Sequence, residues 1–480
     1  MHCMESIIPV TYAKSIYSLN GPLMAAPTVS LESLLTVLRH QRVVTAKDLG
    51  RRLETSQPTV SRLLAQAGPA AVKIGRARAT RYSATRDVRG LGRHWPLFRI
   101  NAQGRPEDVG RLVALHGDGC LLEADNQPAW LRGEFADGLF PGIPWFLDDQ
   151  RPQGFLGRKF AQLHARELGL RDDILQWNAD DVLTALLLRG DSGPGQLVLG
   201  KASLEQALQT HHAAIPAGDR QERYAGMAAN TIAGLNVGSS AAGEQPKFVT
   251  CVDDGNGALR HVIVKFTEPV DKHPTARRWA DLLIAEHLAG VVLAEHGTPS
   301  ARSELIWSGG RLCLESTRFD RQGAFGRRGV VSLAAWSDAY DGLRGPWYEA
   351  AERMRAGGWL NASAQQDVEQ RWWFAKLIAN NDTHYGNVSF FLDDALPIEP
   401  CPNYDMLPMD YRPGAGGNLP DAVYEPPAYP PASVASWQRA AGWAEQFWGR
   451  LVGNDDVSQG FRELARANGN ALQAIRQRLG

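Results

Sequence analysis

Leucines recur at helical spacing in LESLLTVLRH from Leu31, and two more short helical patterns, TAKDLGRRLE and SQPTVSRLLAQAG, follow after brief gaps. Thr45 and Ser56 stand where N-caps belong, Pro58 falls in the first turn of the third helix, and Gly68 with Pro69 ends it. AVKIGRARATRYSA then reads as two short strands turning at Gly75. From about His94 to Gly200 the pattern is mixed, strand-like in GRLVALHGDGCLLEAD and turn-rich in GEFADGLFPGIPWFLDD. The second half is more regular. FVTCV and HVIVKF read as strands parted by the turn DDGNG; a helix from about Thr275 to Val292 has Leu282, Ala285, Leu288 and Val292 on one face; ELIWSGGRLCLE makes another hairpin. A further helix, QQDVEQRWWFAKLIAN, aligns Val368, Trp372, Ala375 and Ala379, and the proline-rich EPPAYPPAS is a loop before C-terminal helices.

At roughly 150 residues per domain, 480 residues suggest about three units. The net charge of −1 shows no bias of the whole chain toward nucleic acid or membrane. Between Leu31 and His94, however, 13 Lys and Arg face 4 Asp and Glu, a local net of +9. That surplus changes the meaning of the first three helices. With the basic hairpin they resemble a winged helix-turn-helix, in which Gln57, Thr59, Ser61 and Arg62 lead the third helix toward base edges of duplex DNA and Arg76, Arg78 and Arg81 form a wing on phosphates. The alternative is a helical docking module, which would not need the wing arginines. A symmetric DNA site would call for a homodimer. The five cysteines, Cys3, Cys120, Cys251, Cys313 and Cys401, are scattered and form no C-x-x-C pair, which fits a reducing bacterial cytoplasm, with nucleoid association through the DNA-binding unit. No export signal or membrane span is read from the pattern.

The candidate chemistry lies downstream. Gly238, Ser239, Ser240 and Gly243 form a small-residue turn ahead of Lys247, the kind that lets backbone N–H groups approach phosphate, although an ordinary hairpin turn has the same composition. Lys265 stands among β-branched residues in HVIVKF, either snorkelling from an edge or aimed at a polyphosphate. Turn, strand, lysine-bearing strand, helix and further strands follow the order of a protein-kinase small lobe. After the later helix, Asp382 and Asn387 stand in a D-x-x-x-x-N relation, and Asp405 follows in PNYDMLP. In kinases that spacing sets a carboxylate at the acceptor hydroxyl, an amide oxygen on the metal, and a second carboxylate on magnesium. Each residue alone fits an Asx turn or cap; the ordered set does not. A two-metal nuclease on Asp382 and Asp405 would leave Lys265 unexplained.

At these residues the chain resembles the HipA-like serine/threonine kinases, toxin components of bacterial toxin–antitoxin systems, through SAAGEQPK (240–247), IVKF with Lys265, RFDR (318–321), NDTHYGN (381–387) and NYD (403–405). The resemblance implies an α+β, two-lobed protein-kinase-like fold behind the small winged helix-turn-helix. The divisions are an N-terminal extension at 1–29, the DNA-binding unit at 30–90, a small upstream subdomain at 95–200, and a kinase domain at 201–480 whose small lobe ends near 320. It implies ATP and Mg²⁺ as cofactors, Asp382 as proton acceptor, and Asn387 with Asp405 on the metal. Ala242, Gly243, Glu244, Gln245, Pro246 and Lys247 with Lys265 would cradle phosphates. Arg318 and Phe319 would lie near the adenine, and His384, Asn387 and Tyr404 would line the nucleotide site. Ser240 matches a serine that such kinases autophosphorylate, and the protein substrate is not named by sequence. Gly386 stands where a lysine is usual, and the partner of Lys265 is open between Asp281 and Glu286. The other reading is a DNA-binding regulator whose kinase-like region senses a ligand.

Overall fold

In the computed structural model, which describes residues 29–76, 79–209, 213–233, 245–255, 257–429 and 431–479, the leucine repeat forms α1 (Leu31–Gln41), capped where Ser30 Oγ accepts from Ser33 N–H at 3.1 Å. A two-residue strand β1 (Val44–Thr45) leads into α2 (Ala46–Arg52), whose first turn is closed by Thr45 and Asp48: the Asp48 N–H donates to Thr45 Oγ1 at 3.1 Å and the hydroxyl donates back to the carboxylate. Ser56 occupies the cap position of α3 (Gln57–Ala67), but its hydroxyl pairs with Thr59 Oγ1 instead of a backbone N–H. Leu34, Leu38, Leu49, Val60 and Leu63 fill the core between the three helices. β2 (Ala71–Ile74) and β3 (Arg81–Ala84) are antiparallel, with β1 on the other side of β3.

The second unit is a five-stranded antiparallel sheet with helices. In chain order it runs β4 (His94–Ile100), β5 (Pro106–Ala114), β6 (Cys120–Glu123), β7 (Leu139–Phe140), α4 (Gly154–Leu168), α5 (Ala179–Arg189), β8 (Leu197–Leu199) and α6 (Lys201–Gln209), in spatial order β7-β6-β5-β4-β8. Its aromatic residues Trp130, Trp145 and Phe146 pack against Trp336, Tyr340 and Trp359 of the C-terminal region, with the Trp145 and Trp359 rings 5.9 Å apart edge to face.

A second five-stranded sheet follows. β9 (Ile215–Pro216), α7 (Arg220–Ile232), β10 (Lys247–Asp253), β11 (Leu259–Phe266), α8 (Pro274–Glu295), β12 (Ser303–Ser308) and β13 (Arg311–Thr317) give the order β12-β13-β11-β10-β9. The remainder is mainly helical around a small sheet. It comprises the hairpin β14 (Arg321–Gln322) and β15 (Gly326–Arg327), β16 (Val330–Ser332), α9 (Leu333–Tyr340), α10 (Trp347–Ala356), α11 (Ala362–Leu377), β17 (Ser389–Phe391), β18 (Glu399–Pro400), α12 (Val434–Val452) and α13 (Gln459–Leu479). The periodicity of α8 predicts one apolar face, yet the whole run from Ala280 to Glu286 is buried, because α8 is sandwiched between the strands and α12. Trp373 is buried and Trp372 half-buried, as core packing requires. Among the described residues no helix is long and apolar enough to cross a membrane.

The first unit is bolted to the second. Ile74 of the hairpin joins Val113, Leu115 and Leu121 in one cluster; Arg86 donates to Asp180 at 2.8 Å and to the Gly119 carbonyl at 3.0 Å, and Arg89 meets Asp181 at 2.6 Å. Arg86 is largely buried and Asp180 partly exposed, so Arg86→Ala should cost about 2–3 kcal/mol by stranding the carboxylate and two carbonyls. Urea unfolding should show that loss as an earlier transition, and limited proteolysis should then cut within 84–94.

Candidate active site

Lys265 on β11 lies directly across the antiparallel register from Lys247 on β10, which puts both side chains on one face of the sheet. α8 packs over that face, and the carboxylate of Glu286 meets the Lys265 ammonium at 2.7 and 2.8 Å. Asp281, the other candidate on this helix, accepts from the Ser458 hydroxyl at 2.6 Å and N–H at 2.8 Å, so Glu286 is the partner. Lys265 is also bonded to Asp405. Burial alone would lower the lysine pKa, but Asp405 and Glu286 outweigh it and hold the ammonium above its ordinary range. Asp405 has φ 56°, a left-handed backbone uncommon outside glycine, and this turn brings its carboxylate back to the lysine.

The loop after α11 is fixed by its own amides. Asn380 Oδ1 accepts from the Asp382 N–H at 3.0 Å, and Asn387 Nδ2 donates to the Asp382 carbonyl at 2.8 Å. The D-x-x-x-x-N spacing is therefore closed by a hydrogen bond that uses the amide nitrogen of Asn387 and leaves its Oδ1 for a ligand. Lys376 donates to Thr383 Oγ1 at 2.7 Å and Trp347 Nε1 to the Thr383 carbonyl at 3.0 Å, pinning the loop from below. Asp382 itself is 41% exposed on its side chain, open to an incoming group.

Lys247, Lys265, Glu286, Asp382, His384, Asn387 and Asp405 line one cavity of about 310 Å³ together with Gln245. The Gln245 amide nitrogen bonds the Phe266 carbonyl while its oxygen is buried without a partner among the described residues. Asn387 Oδ1 and an ionised Asp405 are hard oxygen donors of the kind Mg²⁺ takes while keeping water and phosphate oxygens, so the residues present fit that ion. Among the described residues no cluster of three or more His, Cys, Asp or Glu offers an all-protein metal cage.

Other expected site residues are placed differently. Arg318 turns away from the cavity to Asp320, at 3.0 and 2.8 Å, because a buried guanidinium with a carboxylate two residues away is satisfied locally; its side chain does not line the Lys265 cavity. Phe319 and Tyr404 pack on each other, ring centres 5.7 Å apart, outside the cavity lining, and Tyr404 OH donates to the Gly386 carbonyl at 2.8 Å. At Gly386 a Cβ would come within 3.0 Å of the His384 ring, which folds back to accept from the Gly386 N–H; the missing side chain makes room for that histidine. Pro246 immediately precedes β10, its carbonyl accepting from Phe266 N–H at 3.1 Å. Ser240, Ala242, Gly243 and Glu244 lie outside the described residues, as does Arg78.

In the N-terminal unit Gln57, Ser61 and Arg62 are exposed along α3 and Thr59 is half-buried. Arg76 is exposed at the hairpin turn, and Arg81, partly exposed, is paired with Asp137 of the second unit. Sequence reading missed Lys376, Trp279, Leu283 and the segment Gln153–Leu156, which lines the cavity from the second unit. Only Lys376, next to the D-x-x-x-x-N loop, carried a local signal.

Residues 91–208 match the family described as the YjjJ-like toxin, middle domain, and residues 239–465 match the HipA-like C-terminal domain. A curated relative, Toxin YjjJ of Escherichia coli strain K12, is 36% identical over 451 residues, covering 93% of this chain and 99% of the relative. Among solved structures, the HipA–HipB toxin–antitoxin system of Shewanella oneidensis MR-1 with its operator DNA includes a chain 18% identical, with TM-score 0.45, covering 70% of this chain and 85% of that one. A proinflammatory kinase of Helicobacter pylori, CtkA, gives 8% identity and TM-score 0.32 over 48% of this chain and 94% of its own.

The Asp405 carboxyl sits at about 2, against an ordinary 3.8: burial opposes its charge, and Lys265 and Lys247 outweigh that. A depressed carboxyl stabilises the fold above its unfolded pKa, and the contribution drains away as pH falls toward the folded value. The stability gap between the native protein and Asp405→Asn should therefore be constant above about pH 4 and shrink between about pH 4 and 2. Urea midpoints at pH 6, 4 and 3 measure it; an unchanged gap at pH 3 would contradict the ion pair.

Proposed function

The chain belongs to the HipA-like toxins of the YjjJ type, and from that premise we propose that it is an ATP- and magnesium-dependent protein serine/threonine kinase. The observation that carries the reading is the convergence of Lys265, Glu286, Asp382, Asn387 and Asp405 on one cavity. Lys265, held by Glu286, binds nucleotide phosphates alongside Lys247. Asn387 Oδ1 and Asp405 would hold magnesium, whose charge would offset that of the phosphates. The Asp382 carboxylate, exposed at the mouth, orients an acceptor hydroxyl and takes its proton as the hydroxyl oxygen attacks the terminal phosphorus and the bond from that phosphorus to the bridging oxygen breaks, releasing ADP. The acceptor is a Ser or Thr of another bacterial cytoplasmic protein. Ser240 is a second acceptor, and its phosphorylation would add about −1.5 to −2 of charge to the phosphate loop.

The expected outcome is that Asp382→Asn lowers phosphoryl transfer at least about 10³-fold while nucleotide affinity stays within a few fold, since the lost carboxylate acts on the acceptor and not on ATP. Incubation of the full chain with labelled ATP and Mg²⁺, with mass-spectrometric mapping of the phosphate, tests both the activity and Ser240. Incorporation that is equal in Asp382→Asn would remove Asp382 from the mechanism. Tight nucleotide binding with no transfer in the native protein would favour a ligand-sensing regulator.

The three helices and hairpin at 31–84 are proposed to be a winged helix-turn-helix that binds duplex DNA through α3, on the support of the exposed Gln57, Ser61 and Arg62 and the local charge of 13 basic against 4 acidic residues between Leu31 and His94. Because Arg81 is occupied by Asp137, the hairpin contributes Arg76 at most among its described arginines. Arg62→Ala should weaken DNA binding and reduce the log–log salt slope by about 1, whereas Arg81→Ala should leave the slope unchanged and lower the melting temperature. Fluorescence anisotropy at several salt concentrations separates them; a reduced slope in Arg81→Ala would restore the wing as a DNA contact.

A further inference from the structure

Where β13 leaves the small-lobe sheet and runs into the β14–β15 hairpin, three guanidinium groups are packed beneath the second unit with too few carboxylates to balance them. Arg318 donates to both oxygens of Asp320, and Arg321 donates to Asp320 Oδ2 at 2.6 Å. That same oxygen accepts from the Gly195 N–H at 2.9 Å, so Asp320 is fully engaged. The same Nη1 of Arg321 also faces the carbonyls of Gly195 and Asp320, its Nη2 donates to the Gly193 carbonyl, and Arg327 reaches the carbonyl of Asp191. Carbonyls satisfy hydrogen bonds but bring no net charge. Arg327 is 6% exposed, and its Nη1 is buried with no partner among the described residues.

Arg318, Arg321 and Arg327 line a cavity of about 50 Å³ with Ser192, Thr250 and His261. The one further carboxylate among its described lining residues is Asp191, which leaves three cations against two anions. Burial, with repulsion from neighbouring arginines, pushes Arg327 down to about 10 and Arg321 well below its ordinary value. An unbalanced buried cation is costly, and an orphaned donor beside a void calls for a bound group. The room available, about 50 Å³, admits a small group and is too little for a nucleotide.

We propose that this cavity binds a small oxyanion of the phosphate class, held by Arg327 Nη1 and flanked by Arg318 and Arg321. The site is separate from the Lys265 cavity, shares no lining residue with it, and does not depend on the kinase reading. Its occupant would neutralise the joint through which the small lobe, the β14–β15 hairpin and the Asp191–Gly195 turn of the second unit meet. Arginine is suited to the task because its planar fork matches oxyanion geometry and stays charged.

Thermal unfolding of the full chain in inorganic phosphate, against chloride at matched ionic strength and pH, tests it. The native protein should show a saturable rise in melting temperature of about 2 °C or more. General salting effects of phosphate do not saturate and are indifferent to Arg327. Arg327→Met should abolish the saturable part. Ser192→Asp, which places a carboxylate on the exposed rim, should raise the melting temperature in chloride and remove the phosphate response. Lys265→Met should keep the response. A response that persists in Ser192→Asp and Arg327→Met, that disappears in Lys265→Met, or that never saturates would overturn the site; should Arg327→Met fail to fold, Ser192→Asp decides the matter alone.

Discussion

One ammonium group ties the two lobes together. Lys265 comes from β11, Glu286 from α8 and Asp405 from the turn after β18, so a single buried cation draws a strand, a helix and a loop separated by 140 positions to one point. Removing such a cation from water is expensive unless it is fully paired, and here two carboxylates share it. The consequence is positional. With Lys265 fixed, Lys247 is set beside it by strand register, and Asp405 is held ionised next to Asn387. The left-handed backbone at Asp405 is the local strain this arrangement sustains. Charge pairing here acts less as a source of stability than as a device for placing several groups at once.

The elements that carry this site were legible because their signals are local. A run of β-branched residues marks β11, the D-x-x-x-x-N spacing marks the loop after α11, and both survive as read. What could not be read is direction. Asp281 and Glu286 lie on the same buried helix, and only the arrival of Ser458 from the start of α13 decides which acid is left for the lysine. Arg318 stands at the right place in the chain for a nucleotide contact, yet Asp320 two residues on captures its guanidinium. Arg81 counted as one positive charge among 13 in the N-terminal segment, but charge counting is blind to a neighbour such as Asp137, 56 positions away. The buried Ile74 in the same hairpin is the residue that betrays the docked face, since a free wing has no reason to bury an isoleucine.

The second unit is the part the sequence described least and the structure uses most. It receives the hairpin through Ile74 and Arg81, anchors Arg86 and Arg89 on Asp180 and Asp181 at the start of α5, and supplies Gln153–Leu156 at the start of α4 as one wall of the Lys265 cavity. Its aromatic residues are continuous with those of the helical lobe, so no solvent gap separates them. Such contacts depend on tertiary assembly and leave no periodic trace, which is why that region reads as mixed and turn-rich.

The same geometry limits how the two ends of the molecule can influence each other. Between α3 and the Lys265 cavity the path runs through the hairpin, the Asp180–Asp181 pair and the two helices α4 and α5 of one unit. Contiguity of this kind transmits nothing by itself: a ligand at one end shifts the other only if it binds two arrangements of the connecting unit with different affinity. A tightly packed aromatic interface resists continuous deformation and favours either one arrangement or a discrete second one. The residues placed to distinguish two arrangements are those whose guanidinium groups bridge units, Arg81, Arg86 and Arg89 on one side and Arg321 and Arg327 on the other, because each loses hydrogen bonds to the second unit when the units separate.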